Sequence, residues 1–496
     1  MSKSRFSTRF TLLAISACLL VACGQPSKRT PVPTPAPRVF EPVKCKGSTP
    51  PGLKMDCGYL SVPEDRAKPE GHQIRLYVSI LRSRSKTPQP DPLFYLEGGP
   101  GGRAHEMIYP LFSLLNDVLA ERDIVILDQR GTGFSEPALA CPEPNQKKLE
   151  AIAAGQSNEE TFSQEQIGWQ ACRERLASEE INLSMYNSAA SAADITELAK
   201  ALGYQEYNLL GISYGTRLAL TILRDYPQGV RSVILDSVIP PNVDFFETKN
   251  ANAQRALDLV FERCAADQKC SEKFPDLKAD FNALVDQLNK EPITVEAAGI
   301  SYPVHGDDLV NIVFNTLYDY ETIRQLPELI ANTSRGSTDW LQMWLDYMYE
   351  MSIDWGAHLS SWCSEEAPYN SPNETAQQNA ELDPAILAGM ELDGDAYRTC
   401  KLWDVAPAGK EESDAVSSTV PVLMLVGDYD PVTPPEFARL TAETLENARL
   451  YEFKSRTHGV ISTLCARDLI HQFITKPDGE LDASCMDDLK SSFNIY

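Results

Sequence analysis

The segment Tyr207-Asn-Leu-Leu-Gly211-Ile-Ser213-Tyr-Gly215-Thr-Arg217 constrains this chain more than any other. A short apolar run leads into Gly-x-Ser-x-Gly, and a helix-compatible stretch follows from Thr216 to about Tyr226, closed by Pro227. Between a strand and a helix, that pattern makes a turn so sharp that its serine takes a strained backbone angle. The residues two places either side of Ser213 must then be small, and glycine costs least there. A serine raised on such a turn is placed to act as a nucleophile.

A strand, this turn and a helix together are the nucleophile elbow of an α/β-hydrolase. The fold expected is therefore α/β, a mostly parallel central sheet flanked by helices, with a helical cap inserted. Other stretches fit it. Gly58–Val62 and Gln73–Leu81 alternate as an antiparallel hairpin would, whereas Pro92–Leu96, Ile124–Leu127, Arg231–Asp236, Thr419–Gly427 and Ala448–Phe453 read as strands. Asp128 and Arg130, after the 124–127 strand, are expected to lock their loop by pairing with each other. Polar helical sequence is expected across 141–183. From Pro240-Pro241 the pattern turns to amphipathic helix with little strand periodicity, and it includes Trp340, Trp344, Trp355, Trp362 and Trp403. These tryptophans suit either the core of a small domain or the lining of a pocket. The division expected is 45–240 and 410–496 for the two parts of the core and 241–409 for the helical cap.

The chain begins with Lys3, Arg5 and Arg9 ahead of an apolar segment, Phe10 to Ala22, too short to span a bilayer. It ends in Leu20-Val-Ala-Cys23-Gly24, which resembles a bacterial lipobox. That resemblance implies a lipoprotein signal peptide over 1–22 and lipidation of Cys23. With Gly24 in place of aspartate, it also implies an outer-membrane anchor facing the periplasm or the cell surface. Residues 23–44, with six prolines from Pro26 to Pro42, read as a polyproline tether outside the fold. Of twelve cysteines, ten remain once Cys18 and Cys23 are set aside, an even number suited to an oxidising compartment. Their order points to neighbours along the chain: Cys45–Cys57, Cys141–Cys172, Cys264–Cys270, Cys363–Cys400 and Cys465–Cys485. The chain has no Cys-x-x-Cys and its six histidines are dispersed, so neither metal nor other cofactor is expected. The formal net charge of −25 argues against a nucleic-acid partner.

Serine needs a base within hydrogen-bond reach, itself oriented by a carboxylate, and in this fold the order is Ser, acid, His. His458 and His471 follow a plausible acid. His471 lies in a helical stretch, whereas His458 stands after a strand and before Gly459, on a loop that can reach Ser213. For the acid, Asp430 lies further beyond the strand ending at Gly427 than Asp428 does, and is preferred. The oxyanion donors expected are the N–H of Tyr214 and one from the glycine-rich loop Gly98–Gly102, that of Gly99.

Gly98-Gly-Pro-Gly101, Asp128-Gln-Arg-Gly131-x-Gly133, Gly211-x-Ser-Tyr-Gly-Thr216 and Gly427-x-x-Asp430-x-Val-Thr-Pro434 together resemble the prolyl iminopeptidase and tripeptidyl aminopeptidase group of serine exopeptidases. Cys363-Ser-Glu365-Glu366-x-Pro368 and His458-Gly459 match its secreted tripeptidyl branch, and the likeness covers about 50–490. It implies hydrolysis of peptides from a free N-terminus. By motif position it also implies that Glu365, with Glu366 second, binds the substrate ammonium; solvated helix charges are the other reading of this pair. Glu97 stands where prolyl iminopeptidases usually have histidine, which favours the tripeptidyl branch. An esterase or lipase of the same fold is the alternative, because the elbow serves both chemistries.

Overall fold

The computed structural model describes residues 39–390, 396–489 and 492–495. The expected signal peptide, the lipidation site Cys23 and most of the tether lie outside the described residues. Among those described, no helix is long and apolar enough to cross a membrane.

Among the described residues there are eleven strands: β1 (Phe40–Val43), β2 (Met55–Pro63), β3 (Gln73–Leu81), β4 (Leu93–Leu96), β5 (Ile124–Leu127), β6 (Tyr207–Ile212), β7 (Val230–Asp236), β8 (Ile293–Ala297), β9 (Ile300–Val304), β10 (Val422–Gly427) and β11 (Ala448–Phe453). Nine form one sheet in the order β1-β2-β3-β5-β4-β6-β7-β10-β11. Pairing is antiparallel from β1 to β5 and parallel from β5 to β11. The central parallel strands are apolar on both faces because helices cover both, and every residue of β4, β5 and β10 is buried. One face carries the helices Ser188–Ala201 and Tyr214–Asp225, the other Asn116–Glu121 and Leu464–Thr475. The chain leaves β4 towards β5 and returns on the other side of β4 as β6. That reversal opens a crevice at the carboxyl ends of β4 and β6, where sheets of this kind bind ligands.

The cap has its own apolar cluster, built from residues between Ala253 and Met390 and joined by Tyr429 and Phe493. Three expectations need correction. Residues 40–43, assigned to the tether, are β1, an edge strand in which Pro42 withholds no N–H from a neighbour. Within the cap, β8 and β9 form a hairpin whose two-residue turn, Ala298-Gly299, has positive φ at both positions (50° and 77°). The helices Glu143–Ala153 and Asn158–Ser178 pack against cap elements: Gln166 donates to Thr399 and Arg173 to the Trp403 carbonyl. The cap is thus fed by two passes of the chain, not one. Among the described residues, disulfides join Cys45 to Cys57, Cys141 to Cys172, Cys264 to Cys270, Cys363 to Cys400 and Cys465 to Cys485.

Candidate active site

At the end of β6, Ser213 adopts φ 55° and ψ −126°, outside the favoured regions for a side-chain-bearing residue. The glycines around it are there for space. A Cβ on Gly211 would lie 2.3 Å from the Gly215 carbonyl oxygen, and one on Gly215 would lie 2.0 Å from that of Leu96. The Ser213 N–H donates to the Asp236 carbonyl at the end of β7 (3.0 Å), which fixes the turn from outside. Tyr214 then opens the elbow helix.

The glycine-rich loop after β4 presses on this turn: a Cβ on Gly98 would lie 3.1 Å from Ser213 Cβ. Glu97 Oε1 accepts the Gly98 N–H (3.0 Å) and Oε2 accepts the Tyr95 hydroxyl (2.6 Å). Burial pushes the Glu97 carboxyl above the usual range against those two bonds. Gly99 follows, exposed, at φ 110°.

Across the crevice, His458 Nδ1 donates to Asp430 Oδ2 (2.8 Å). Asp430 is fully buried and also accepts from the Val432 and Thr433 amides and the Thr433 hydroxyl (3.0, 2.8 and 2.7 Å). Burial opposes its ionisation, but His458 and these donors outweigh it and hold the carboxyl below its ordinary value. Burial likewise opposes a charged His458. Asp430, and behind it Asp236, more than offset that and raise the imidazole. Asp428, the competing acid, is occupied elsewhere: it accepts the Ser455 N–H (2.8 Å) and pairs with Arg263 of the cap.

Asp236 has no motif of its own, and sequence reasoning missed it. Its carboxylate accepts the amides of Val460 and Ile461 (3.0 and 2.8 Å), just beyond His458, and Ser237 Oγ accepts that of Gly459 (2.9 Å). One residue therefore holds the nucleophile turn by its carbonyl and the histidine loop by its side chain. The only sequence signal was an apolar run broken by an acid at the carboxyl end of a strand.

Ser213, Gly98, Gly99 and His458 line one cavity of about 2300 Å3 between core and cap. That exceeds the space of an ordinary small-molecule site and leaves room for a chain of several residues. Cap and triad region are fastened together. Arg255 donates to the carbonyls of Asp428 and Asp430, Thr457 donates to Leu317, and the Tyr318 ring stands edge-on to that of His458 at 5.1 Å.

Two other expectations are overturned. Asp128 does not pair with Arg130: it accepts from His105 Nδ1 (2.8 Å) and Phe134 N (2.8 Å), while Arg130 reaches Asp194 with two nitrogens (2.8 and 2.9 Å). Nor do Glu365 and Glu366 face the cavity. Each is 1% exposed, and both close on the fully buried Arg217 of the elbow helix. Glu365 also takes the Ser188 amide and hydroxyl, and Glu366 the Phe245 amide. Burial, only partly countered by Arg217, lifts Glu365 to about 7. Carboxylates so enclosed brace the helix behind Ser213 and have no surface to offer an ammonium.

Residues 91–269 match the family described as "alpha/beta hydrolase fold", and residues 360–485 that described as "TAP-like protein". The chain is 26% identical over 465 residues to serine protease Hip1 of Mycobacterium tuberculosis (strain H37Rv), covering 86% of each chain. It is 32% identical over 199 residues to the tripeptidyl aminopeptidase of Streptomyces coelicolor, 38% of this chain and 36% of that one. It is 28% identical over 405 residues to carboxylesterase B of M. tuberculosis (strain CDC 1551), 76% of each.

Proposed function

The chain is an α/β-hydrolase with a TAP-like C-terminal region, a serine hydrolase of the tripeptidyl aminopeptidase-like peptidases, and on that premise we propose that it is an exported exopeptidase releasing peptides from a free N-terminus. In this reading Ser213 Oγ attacks the scissile carbonyl while His458 Nε2 takes its proton. Asp430 keeps the imidazole in the tautomer that leaves Nε2 free, and favours the imidazolium once formed. The amide nitrogen departs with the proton from His458, and a water repeats the sequence on the acyl-enzyme. Tyr214 and Gly99 supply the oxyanion donors; Gly98 is less suited, because its N–H is held by Glu97.

The observation that carries the proposal is the Asp430–His458 bond opening on the same capped cavity as Ser213 and Gly99. The substrate ammonium needs carboxylates that face the cavity and have no cationic partner. Asp307, bonded to the Asn289 amide, Asp319, bonded to Thr322, and Glu160, bonded to Ser157, are the cap acids that answer to this. Ser213→Ala should abolish cleavage of N-terminally free tripeptidyl amides without changing the thermal midpoint. Acetylating the amine should abolish cleavage by the wild type. Indifference to acetylation would favour the second reading, a carboxylesterase, which the likeness to carboxylesterase B supports.

The proposal includes a lipid anchor at Cys23, on the outer membrane and facing the periplasm or cell surface. The lipobox-like Leu20–Gly24 and the five disulfides support export. Labelling with radioactive palmitate that disappears in Cys23→Ala is the expected result.

A further inference from the structure

Lys249 lies in the first turns of the cap helix Phe245–Ala266, half-buried and lining the cavity. The other lysine and arginine side chains of the lining have acids beside them, Lys148 with Glu165 and Arg398 with Glu159, and His305 pairs with Asp308. Lys249 pairs with no acid among the described residues. A partly desolvated ammonium with no counter-ion loses hydration and gains nothing in return, unless a ligand brings the opposite charge.

His358 lines the same cavity. Its Nδ1 donates to the carbonyl of Pro100 (2.9 Å), the residue after Gly99, and a Cβ on Gly101 would lie 3.3 Å from its own Cβ. The imidazole therefore sits against the loop that carries the proposed oxyanion donor. Burial, and then the nearby charge of Lys249, bring His358 down to about 4, so it stays neutral at physiological pH and does not share the role of cation. Lys249, His358 and Ser213 line the same cavity, and extended peptide advances about 3.3 Å per residue.

We propose that Lys249 is a carboxylate subsite of the cavity that Ser213 also lines, taking an acidic side chain or the C-terminal carboxylate of a bound peptide; the assignment rests on the exopeptidase reading above. It adds a preference that the ammonium-binding acids do not supply: a peptide that is anionic at one defined place.

The test uses the full chain and matched substrates. Glu and Gln are compared at each position on either side of the scissile bond, and a free C-terminal carboxylate is compared with its amide. One arm should show kcat/KM about tenfold to a hundredfold higher for the carboxylate, mostly through KM; which arm does so identifies the source. Lys249→Met should bring that ratio near one while leaving the neutral substrate nearly unchanged, and Lys249→Gln, polar and of similar length, should do the same if the methionine variant folds poorly. A ratio near one in every arm of the wild type, or a ratio that survives both substitutions, would overturn the proposal. The same comparison on esters separates it from the reading it rests on. A carboxylate preference on esters with no amide cleavage would remove the exopeptidase and leave the subsite.

Discussion

Asp430 and Glu366 are both sealed from solvent, at 0% and 1% exposure, and each meets a basic side chain. Their surroundings differ in what that side chain can do. Asp430 holds one nitrogen of His458, whose ring lines the same cavity as Ser213. Glu366 and its neighbour Glu365 close on Arg217, which is enclosed on all sides and never titrates. The first cluster opens on the cavity; the second spends the same chemistry on keeping the elbow helix in place. Burial and ion pairing alone do not mark a binding carboxylate. An open path from the pair to the substrate does.

The sharpest way to break this contrast is to remove the basic side chain from each cluster. His458→Ala should lower kcat by about 10^4-fold or more while the protein melts close to the wild type. Arg217→Met should do the reverse. Two enclosed carboxylates lose their partner, a change that costs about 3–5 kcal/mol, and the activity of the molecules that remain folded should fall far less. Thermal denaturation alongside kcat measures both. Normal melting of the Arg217→Met variant would refute the bracing role.

Asp236→Asn lies between the extremes, because Asp236 touches both the nucleophile turn and the histidine loop. Asparagine keeps one acceptor and turns an amide donor towards the other backbone N–H, so kcat/KM should fall by about tenfold to a hundredfold. The negative charge of Asp236 helps raise His458. Its loss should therefore move the acid limb of the kcat/KM profile to lower pH, a change that mere loosening of the loop does not produce.

The smallest effect is on stability against pH. Glu365 keeps its proton up to about 7 in the folded chain but releases it near the ordinary 4.5 when unfolded. Between those values the folded state binds more protons, so stability falls as pH rises, by at most about 1.4 kcal/mol per pH unit from this group. Asp430 has the opposite sign: its folded value is depressed, so its contribution is present above the unfolded pKa and lost in acid. Glu365→Gln should flatten the slope between pH 4.5 and 7, read from denaturant midpoints, and leave the acid side as it was.

What the sequence revealed follows the range of the forces involved. The elbow is legible because Gly211, Ser213 and Gly215 constrain one another within five residues, and the strand ends that carry Gly99, Asp430 and His458 follow from local periodicity. The bracing cluster is not legible: Arg217 and Glu366 are 149 positions apart, and nothing near either names the other. The motif around Cys363 therefore pointed to the right carboxylates and the wrong task. Pro42 hid β1, since a proline-rich run reads as tether until an edge strand is there to tolerate it. The 293–304 hairpin was hidden by the helices around it, although Ala298-Gly299 is a turn signal and the flanking residues are β-formers.

The cap's two passes of chain bear on what the enzyme accepts. A flap hinged along one edge can swing aside for a bulky guest. This cover is pinned by polypeptide at both crossings and clasped by Arg255 and Arg263 beside the triad acid. It behaves as a roof on several posts and not as a hinged flap. On the exopeptidase reading proposed above, a cover so fixed favours slender, unfolded chain ends over folded proteins, a selection by width made before any side chain is read.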